Sequence, residues 1–400
     1  MHPLIYDWNT VDPAPPRPPV QLDDETLRDG LQSPSVHTPS IDDKIRILHL
    51  IDALGIDTAD IGLPGAGPHV VADVQRLARE IADNRMRVQA NCAARTVLAD
   101  IEPIARISQR VGLPIECCAF IGSSPIRQYA EDWTLDRLVA LTEEAIGFAV
   151  KEGLPVMYVT EDTTRADPAS LQRLYTAAIR AGASRVCIAD TVGHATPAGA
   201  AAVTRFIQSI VDACGGGVGI DWHGHRDRDL SIANSFAAWD AGATRLHGAA
   251  LGIGERVGNT PMDALLVNLV LMGARQADLT HLTAYAAVVA EACGVPMPPN
   301  YPVLGRDAFR TATGVHAAAV IKAYKKQDAA LVDAVYSGVP ASLVGREQEI
   351  EVGPMSGKSN VVYWLERRGL VADEERVERI FAAAKKARGV LTESEMRALL

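Results

Sequence analysis

The sequence predicts a (β/α)8 barrel, a closed ring of eight parallel strands with helices outside it, followed by a small, mainly helical C-terminal region. Eight short apolar runs, each followed by a stretch with helical periodicity, occupy residues 20–285. Alternating strand and helix patterns indicate a parallel sheet. Eight such units in about 265 residues are typical of a closed barrel, which leaves no exposed edge strand.

A doubly wound open sheet is the competing architecture. Such a sheet gathers its ligand-binding residues at one switch point and often carries GxGxxG after its first strand. This chain has no GxGxxG there, and polar residues follow nearly every predicted strand. Both observations favour the barrel.

The eight predicted strands follow one another at a steady interval. They are VQLDDETL (20–27), TADIGL (58–63), MRVQANC (86–92), IECCAFI (115–121), PVMYVTE (155–161), RVCIADT (185–191), GVGIDWHGH (217–225) and RLHGAAL (245–251). Capping signals mark two of the intervening helices. Ser40 with Asp43 three residues on precedes one, and Thr134 precedes another, which ends near Gly153.

The flanking regions differ in composition from the barrel. Residues 1–19 form a proline-rich arm, which is either extended on the surface or on a partner subunit, or a disordered tail. After residue 285 the alternation breaks, 297–303 has the composition of a linker, and 348–354 is a short extended patch. We therefore predict a C-terminal subdomain I over 286–347 and a C-terminal subdomain II over 348–400.

Composition and charge exclude several classes of protein. Hydrophobic residues make up 48% and charged residues 22% of the chain, as in ordinary globular proteins. The net charge of −10 gives no electrostatic reason to bind nucleic acid or an anionic membrane. The start lacks a basic segment followed by an apolar one, and no later run is long enough to span a membrane, so we expect a cytoplasmic protein. The six cysteines show no CxxC pairing or zinc spacing, and four of them lie in apolar strand-like runs, which indicates buried free thiols.

Polar residues at the predicted strand ends suggest a metal site, because a barrel of this kind carries its active site there. His223 and His225 are two residues apart, so both side chains leave the same face of a strand. With Asp29 they form a set suited to Zn²⁺, Mn²⁺, Fe²⁺ or Co²⁺, with Mg²⁺ a further candidate, and leave room for a bidentate ligand. A 2-oxo acid is such a ligand, and a Lewis acid would polarise its keto group. Two structural histidines are the other interpretation.

Basic and hydroxyl groups at the same strand ends are candidates for contacting substrate. Arg28 can direct its donors at an oxygen where negative charge develops, or pair with Glu161 or Glu255 and so order the rim. Thr191 can donate to a substrate carboxylate, although a helix-capping role for Thr191 or Thr196 is the alternative.

Several motifs in order resemble one known group of barrels. The stretch LDDETLRDGLQSP is similar to the DxTLRDGxQ signature of the DRE-TIM metallolyases, which include 2-isopropylmalate, homocitrate and citramalate synthases and 3-hydroxy-3-methylglutaryl-CoA lyase. GLPGAGP, CAARTVLADIEP, VTEDTTRADP, ADTVGHATP, DWHGHRDRDLSIANS and GIGERVGN continue the series. The similarity spans about residues 20–400, and the chain resembles a short form without the C-terminal regulatory domain of many isopropylmalate synthases.

The resemblance implies roles for individual residues. It implies Asp29, His223, His225 and Asn259 at the metal, Arg28, Glu161, His316 and Tyr336 as catalytic residues, and Arg28 and Thr191 in contact with the 2-oxo acid. Gln32, Arg95, Ser124 and Arg127 follow predicted strands and are further candidates for binding substrate. TGVHAAAVIK is similar to a segment whose histidine, here His316, reaches the partner subunit's site, so a homodimer is implied. Arg95 and Arg127 can read a second acidic group, although a solvated helix start is the alternative for Arg127.

The resemblance also implies the reaction: condensation of acetyl-CoA with a 2-oxo acid and hydrolysis of the thioester, as in 2-isopropylmalate synthase. The alternatives are homocitrate, citramalate or phosphonomethylmalate synthesis, lyase chemistry of the 3-hydroxy-3-methylglutaryl-CoA type, and a non-enzymatic metabolite sensor. The lyases carry a catalytic cysteine in the loop after strand eight, and ALGIGERVGN has none, which favours condensation. Arg226 and Asp229 depart from the family pattern beside the second histidine, which leaves the 2-oxo acid unassigned.

Overall fold

The computed structural model describes residues 2–10 and 17–400, which divide into two compact units, Ala14–Pro296 and Met297–Leu400 with Met1–Pro13. The predicted boundary after residue 285 falls inside a helix of the first unit, Leu282–Cys293. Part of the proline run from Pro13 to Pro19 lies outside the described residues. Among the arm residues that are described, the Pro18 carbonyl accepts a hydrogen bond of 2.9 Å from Trp239 Nε1.

The first unit is a closed barrel of eight parallel strands in sequential order, as predicted. β1 closes the ring by pairing with β8, from Gln21 opposite Arg245 to Asp24 opposite Gly248. The strands are β1 Gln21–Asp24, β2 Thr58–Asp60, β3 Gln89–Arg95, β4 Ile115–Gly122, β5 Val156–Glu161, β6 Arg185–Asp190, β7 Gly219–Gly224 and β8 Arg245–Gly248.

Some predicted strands are longer than the observed ones because their last residues form turns. β1 ends at Asp24, whose Oδ1 accepts from the Thr26 amide at 2.9 Å, and the Glu25 carbonyl then accepts from the Arg28 amide. A short 3-10 helix, Asp29–Gln32, follows. This turn brings the charged residues after β1 over the end of the barrel.

Ten α-helices surround the barrel in the described part of this unit. Ser40 caps the first by accepting from the Asp43 amide, and Thr134 caps α5 by accepting from the Arg137 amide, as the sequence predicts. The helices are α1 Ile41–Ala53, α2 Pro68–Asn84, α3 Leu98–Val111, α4 Pro125–Ala130, α5 Leu135–Lys151, α6 Pro168–Ala181, α7 Pro197–Ala213, α8 Ser231–Asp240, α9 Met262–Leu271 and α10 Leu282–Cys293.

Among the described residues, the barrel interior combines apolar side chains with a buried ionic network. Arg245, 3% exposed, donates to Asp221 Oδ2 at 2.5 Å and to Glu116 Oε2 at 2.6 Å. Asp221 also accepts from Arg185 and pairs with His247. These charges are buried but paired, which such residues require in an interior. The prediction of buried free thiols is confirmed for five cysteines, whereas Cys214 is free but only half-buried.

The second unit is mainly helical. A parallel two-stranded sheet joins β9 Arg310–Thr311 to β10 Glu349–Ile350, which lies in the predicted extended patch. Two hydrophobic clusters stabilise the unit, one around Val320 and one around Trp364. The helices are α11 Gly314–Lys325, α12 Ala329–Ala334, α13 Lys358–Glu366, α14 Glu374–Lys386 and α15 Glu393–Ala398. Across the described ranges of both units, no helix has the length and apolar character needed to cross a membrane.

Candidate active site

Asp29, His223 and His225 converge at the carboxyl ends of β1 and β7. Asp29 Oδ2 lies 3.5 Å from the Nε2 atoms of both histidines, and those two nitrogens are 3.3 Å apart. Asp29 Oδ2 is buried and has no hydrogen-bond partner among the described residues. Burial and the neighbouring His223 lower the pKa of His225, which keeps its imidazole neutral and its lone pair free. Two imidazole nitrogens and an unsatisfied carboxylate oxygen are donors that fit a divalent ion.

Asn259 lies beside this group because the loop after β8 pairs with the end of β7. The backbones of His225 and Asn259 form an isolated antiparallel bridge, and Asn259 Nδ2 donates to the Ile253 carbonyl. Gly258 has φ +101°, and a Cβ there would lie 1.7 Å from the Gly252 carbonyl oxygen. The loop therefore folds tightly on itself, and only glycine fits at that position.

Arg28 is held by three carboxylates at the edge of the cavity. Its Nε donates to Asp60 Oδ2 at 2.7 Å, its Nη1 lies 3.2 Å from Asp29 Oδ1, and its Nη2 donates to Glu25 Oε2. Burial opposes the charge on Arg28, but these carboxylates outweigh it and hold its pKa above the ordinary value. The ion pairs predicted with Glu161 or Glu255 are replaced by these three, because the turn after β1 directs Arg28 towards β2.

A cavity of about 260 Å³ lies over these residues and is lined on one side by apolar groups. Burial raises the pKa of the Cys118 and Cys187 thiols in this lining well above the ordinary value, so both are neutral. The other apolar side chains in the lining are Leu63, Ala93, Phe120, Met157, Val159 and Ala189.

Glu161, Thr191 and Gln32 also line the cavity. Burial raises the pKa of Glu161, against the opposing charges of Arg127 and Arg28. Thr191 Oγ accepts from the Asp162 amide at 2.8 Å, so its own proton remains available to donate. The helix-capping alternative applies to Thr196, whose hydroxyl accepts from the Gly199 amide at the start of α7.

Three residues predicted to bind substrate lie outside this lining. Arg95 is 61% exposed and forms a two-pronged pair with Asp100. Arg127 pairs with Glu131, the residue directly after α4. Ser124 caps α4 and donates to Asp162 Oδ2 at 2.5 Å. Local partners thus position all three side chains.

His316 and Tyr336 lie together in the second unit. Their ring centroids are 4.3 Å apart with the planes tilted by 31°. His316 is exposed at the start of α11, and Tyr336 is 48% exposed. The structure therefore brings these two residues to one face of their own unit.

Sequence reasoning missed the charged residues below the three predicted ligands. Glu25 and His247 are buried, and Glu25 Oε1 lies 2.9 Å from His247 Nδ1. Burial opposes a charge on His247, but Asp23, Asp221 and Glu25 outweigh it and raise its pKa to about 10. A usable signal was present: these ionisable residues interrupt runs that are otherwise apolar, as Asp221 does in GVGIDWHGH and His247 in RLHGAAL.

Sequence comparisons find relatives that are named synthases. The chain is 30% identical over 370 residues to a probable 2-isopropylmalate synthase of Methanopyrus kandleri, covering 92% of this chain and 69% of the relative. It is 33% identical over 371 residues to homocitrate synthase AksA of the same organism, covering 90% and 86%. A homocitrate synthase of Pyrococcus abyssi is 30% identical over 349 residues, covering 87% and 90%.

Solved structures show the same fold. The HMG-CoA lyase of Bacillus subtilis superposes with a TM-score of 0.60 at 21% identity, covering 71% of this chain and 97% of the lyase. The family model described as HMGL-like matches residues 19–289, which include all eight barrel strands. Because this family model matches more than half of the chain, and because relatives are at least 30% identical to it over most of its length, the chain belongs to the HMGL-like family.

Proposed function

We propose that this protein condenses acetyl-CoA with a 2-oxo acid that has an apolar side chain, and hydrolyses the thioester to a 2-alkylmalate and CoA. The observation that carries the proposal is the Asp29–His223–His225 group beside the apolar lining of the cavity. This lining, which includes Phe120 and Val159, is called the apolar wall below. Relatives named 2-isopropylmalate, homocitrate and citramalate synthases support the reaction type. The choice among their 2-oxo acids rests on the lining of the cavity.

The lining disfavours a substrate with a second carboxylate. Arginine occurs in it twice, as Arg28 and Arg256. Arg28 is engaged by three carboxylates, and Arg256 forms a two-pronged pair with Asp227 and donates to the Thr191 carbonyl. A second anionic group on the substrate would therefore meet apolar carbon and neutral thiols at a high cost in desolvation.

Asp29, His223 and His225, with Asn259 beside them, would hold a divalent ion. Such an ion supplies Lewis-acid polarisation of a carbonyl. Arg28 contacts its three carboxylates through Nε, Nη1 and Nη2, which leaves one further hydrogen on each Nη. These two hydrogens are the ones proposed to meet the single oxygen on which negative charge develops, where a preorganised donor is most effective. Thr191 donates its free hydroxyl proton to the substrate carboxylate.

A base must take a proton from the acetyl methyl group before its carbon attacks the keto carbon. Glu161 lines the cavity and has a raised pKa, which brings the carboxylate closer to the range useful for proton transfer. His316 and Tyr336 are the other proposed proton-transfer pair, and we propose that they act in the partner's site of a homodimer. Their exposure on the second unit is compatible with that role.

A thiol-release assay tests the proposal. Metal-loaded protein is incubated with acetyl-CoA and 2-oxoisovalerate, pyruvate, 2-oxoglutarate or phosphonopyruvate, and free CoA is measured with a thiol reagent. We expect thiol release with the apolar 2-oxo acids and formation of the matching 2-alkylmalate by mass spectrometry. Release only with 2-oxoglutarate or phosphonopyruvate would contradict the substrate class, and no release with any acid would contradict condensation.

The dimer is tested by mixing two inactive variants, His316→Ala and Asp29→Asn. If His316 acts across the interface, subunit exchange pairs an intact barrel with an intact His316, and activity returns. Each variant measured alone is the control. Mixtures that exchange subunits and stay inactive would contradict a shared site.

A further inference from the structure

Glu25 lies directly below the proposed metal ligands and contacts one of them. Its Oε1 is 3.3 Å from His223 Nδ1 and 2.9 Å from His247 Nδ1, and its Oε2 accepts from Arg28 Nη2. Glu25 is buried, with 3% of the residue exposed. A buried carboxylate thus lies 3.3 Å from a ring nitrogen of a proposed metal ligand and is hydrogen-bonded to the arginine proposed to contact substrate and to a second histidine.

Glu25, His223 and His247 also form a compact group of possible ligands, but the group does not suit a second ion. Both ring nitrogens of His247 are engaged, Nδ1 by Glu25 and Nε2 by Asp221 Oδ2 at 2.9 Å. His247 therefore has no lone pair to offer. Both oxygens of Glu25 are likewise hydrogen-bonded, Oε1 to His247 and Oε2 to Arg28.

The network below Glu25 fixes its position. His247 bridges Glu25 to Asp221, and Asp221 is anchored by Arg245 and Arg185. Glu25 directly follows β1, and the other four side chains project from strands of the closed barrel, so none can turn without breaking a buried ion pair. Glu25 is consequently a fixed acceptor facing His223.

We propose that Glu25 is a positioning residue for His223: it accepts the Nδ1 hydrogen and so directs the Nε2 lone pair to the point between Asp29 and His225. The inference rests on the proposed function, because it takes His223 as a metal ligand. A ligating histidine usually donates its other ring hydrogen to such an acceptor, and loss of that acceptor typically lowers metal affinity by about 10–100-fold. The same carboxylate also sets the orientation of Arg28.

Cobalt binding tests this assignment without using turnover. Metal-stripped wild type, Glu25→Gln and Glu25→Met are titrated with Co²⁺ while its visible absorption bands are recorded. Glu25→Met should bind Co²⁺ about 10–100-fold more weakly, with shifted bands, and Glu25→Gln should fall between Glu25→Met and wild type because an amide oxygen still accepts. Glu116→Gln is the matched control, because it removes a carboxylate from the far end of the same network. Among the described residues Glu116 has no contact with His223, so this variant should leave the Co²⁺ affinity and the absorption bands unchanged.

Folded Glu25 variants that bind Co²⁺ as wild type does, with the same bands, would overturn the inference and leave the proposed reaction standing. If wild type and all three variants bind Co²⁺ as predicted, but wild type shows no condensation in the thiol-release assay, the proposed reaction is overturned and the inference stands. Wild type that binds no Co²⁺ would overturn both.

Nitrogen NMR on unaltered protein keeps the inference testable if the variants do not fold. The protein is labelled with ¹⁵N-histidine and loaded with Zn²⁺, and the His223 signals are identified by their loss in His223→Gln. These signals should show a protonated Nδ1 and a metal-bound Nε2. A metal-bound or unprotonated Nδ1 would overturn the assignment.

Discussion

Phe120 on β4 is the residue whose replacement tests the apolar wall most sharply. Its ring lines the cavity beside Val159, the residue opposite it on β5. Phe120→Ala removes the phenyl ring and opens room for several methylene groups in a cavity of about 260 Å³. The variant should therefore accept 2-oxo acids with longer or more branched side chains than the wild type prefers.

The magnitude follows from the value of one methylene group in an apolar pocket, ~1–3 kcal/mol, or about 10–200-fold in kcat/KM. We expect the ratio of kcat/KM for a 2-oxo acid one or two carbons longer, relative to 2-oxoisovalerate, to rise by at least about 10-fold. The ratio is measured by thiol release across a series of 2-oxo acids. Phe148→Ala, on the outer helix α5, is the matched control and should leave the ratio unchanged.

An unchanged ratio in Phe120→Ala, with the protein folded and metal loaded, would refute the assignment of this wall to the substrate side chain. If the ratio rises equally in Phe148→Ala, the effect comes from general loosening of the barrel and not from the wall.

Three further predictions concern single residues. Burial raises the pKa of Glu161, and the base must be deprotonated to act. The value of kcat/KM should therefore fall as the pH drops through that pKa, at a pH above the range in which ordinary carboxyl groups titrate. Glu161→Gln should lower turnover by about 10²–10⁴-fold and abolish this fall in the pH profile. Metal content is checked at each pH, and a fall that persists in the variant would contradict the role of Glu161. His316→Ala should lower turnover by a similar ~10²–10⁴-fold with metal content unchanged, and full activity would reject its role. Arg245→Met should lower the free energy of unfolding by about 3–5 kcal/mol in denaturant titrations because it leaves Glu116 and Asp221 short of a buried partner. The exposed pair of Arg173 and Asp136 provides its control, and Arg173→Met should cost no more than about 1 kcal/mol.

The barrel was predictable because its strands are short apolar runs at regular spacing, and all eight predictions are confirmed. Their ends were less predictable. Residues such as Thr26 and Leu27 have strand-like character, but the Asp24 carboxylate accepts from the Thr26 amide and starts a turn. Side-chain hydrogen bonds of this kind compete with strand pairing and are not visible in hydrophobic periodicity.

The ligand group was predictable from spacing and from the placement of active sites in such barrels, which brings Asp29 next to His223 and His225. The partners of Arg28 were not, because they depend on where the turn after β1 directs a long side chain. The link from Glu25 to His247 was also hidden, since it joins residues 222 positions apart and arises only when β8 pairs with β1.

The central claim is that one divalent ion is bound jointly by Asp29, His223 and His225. A crystal of the protein soaked in Mn²⁺ or Zn²⁺ and measured at the absorption edge of that metal tests it most directly. We predict one strong anomalous peak per chain, in contact with Asp29 Oδ2 and the Nε2 atoms of both histidines. Well-defined side chains with no peak between them, or a peak held instead by Glu25 and His247, would contradict the account.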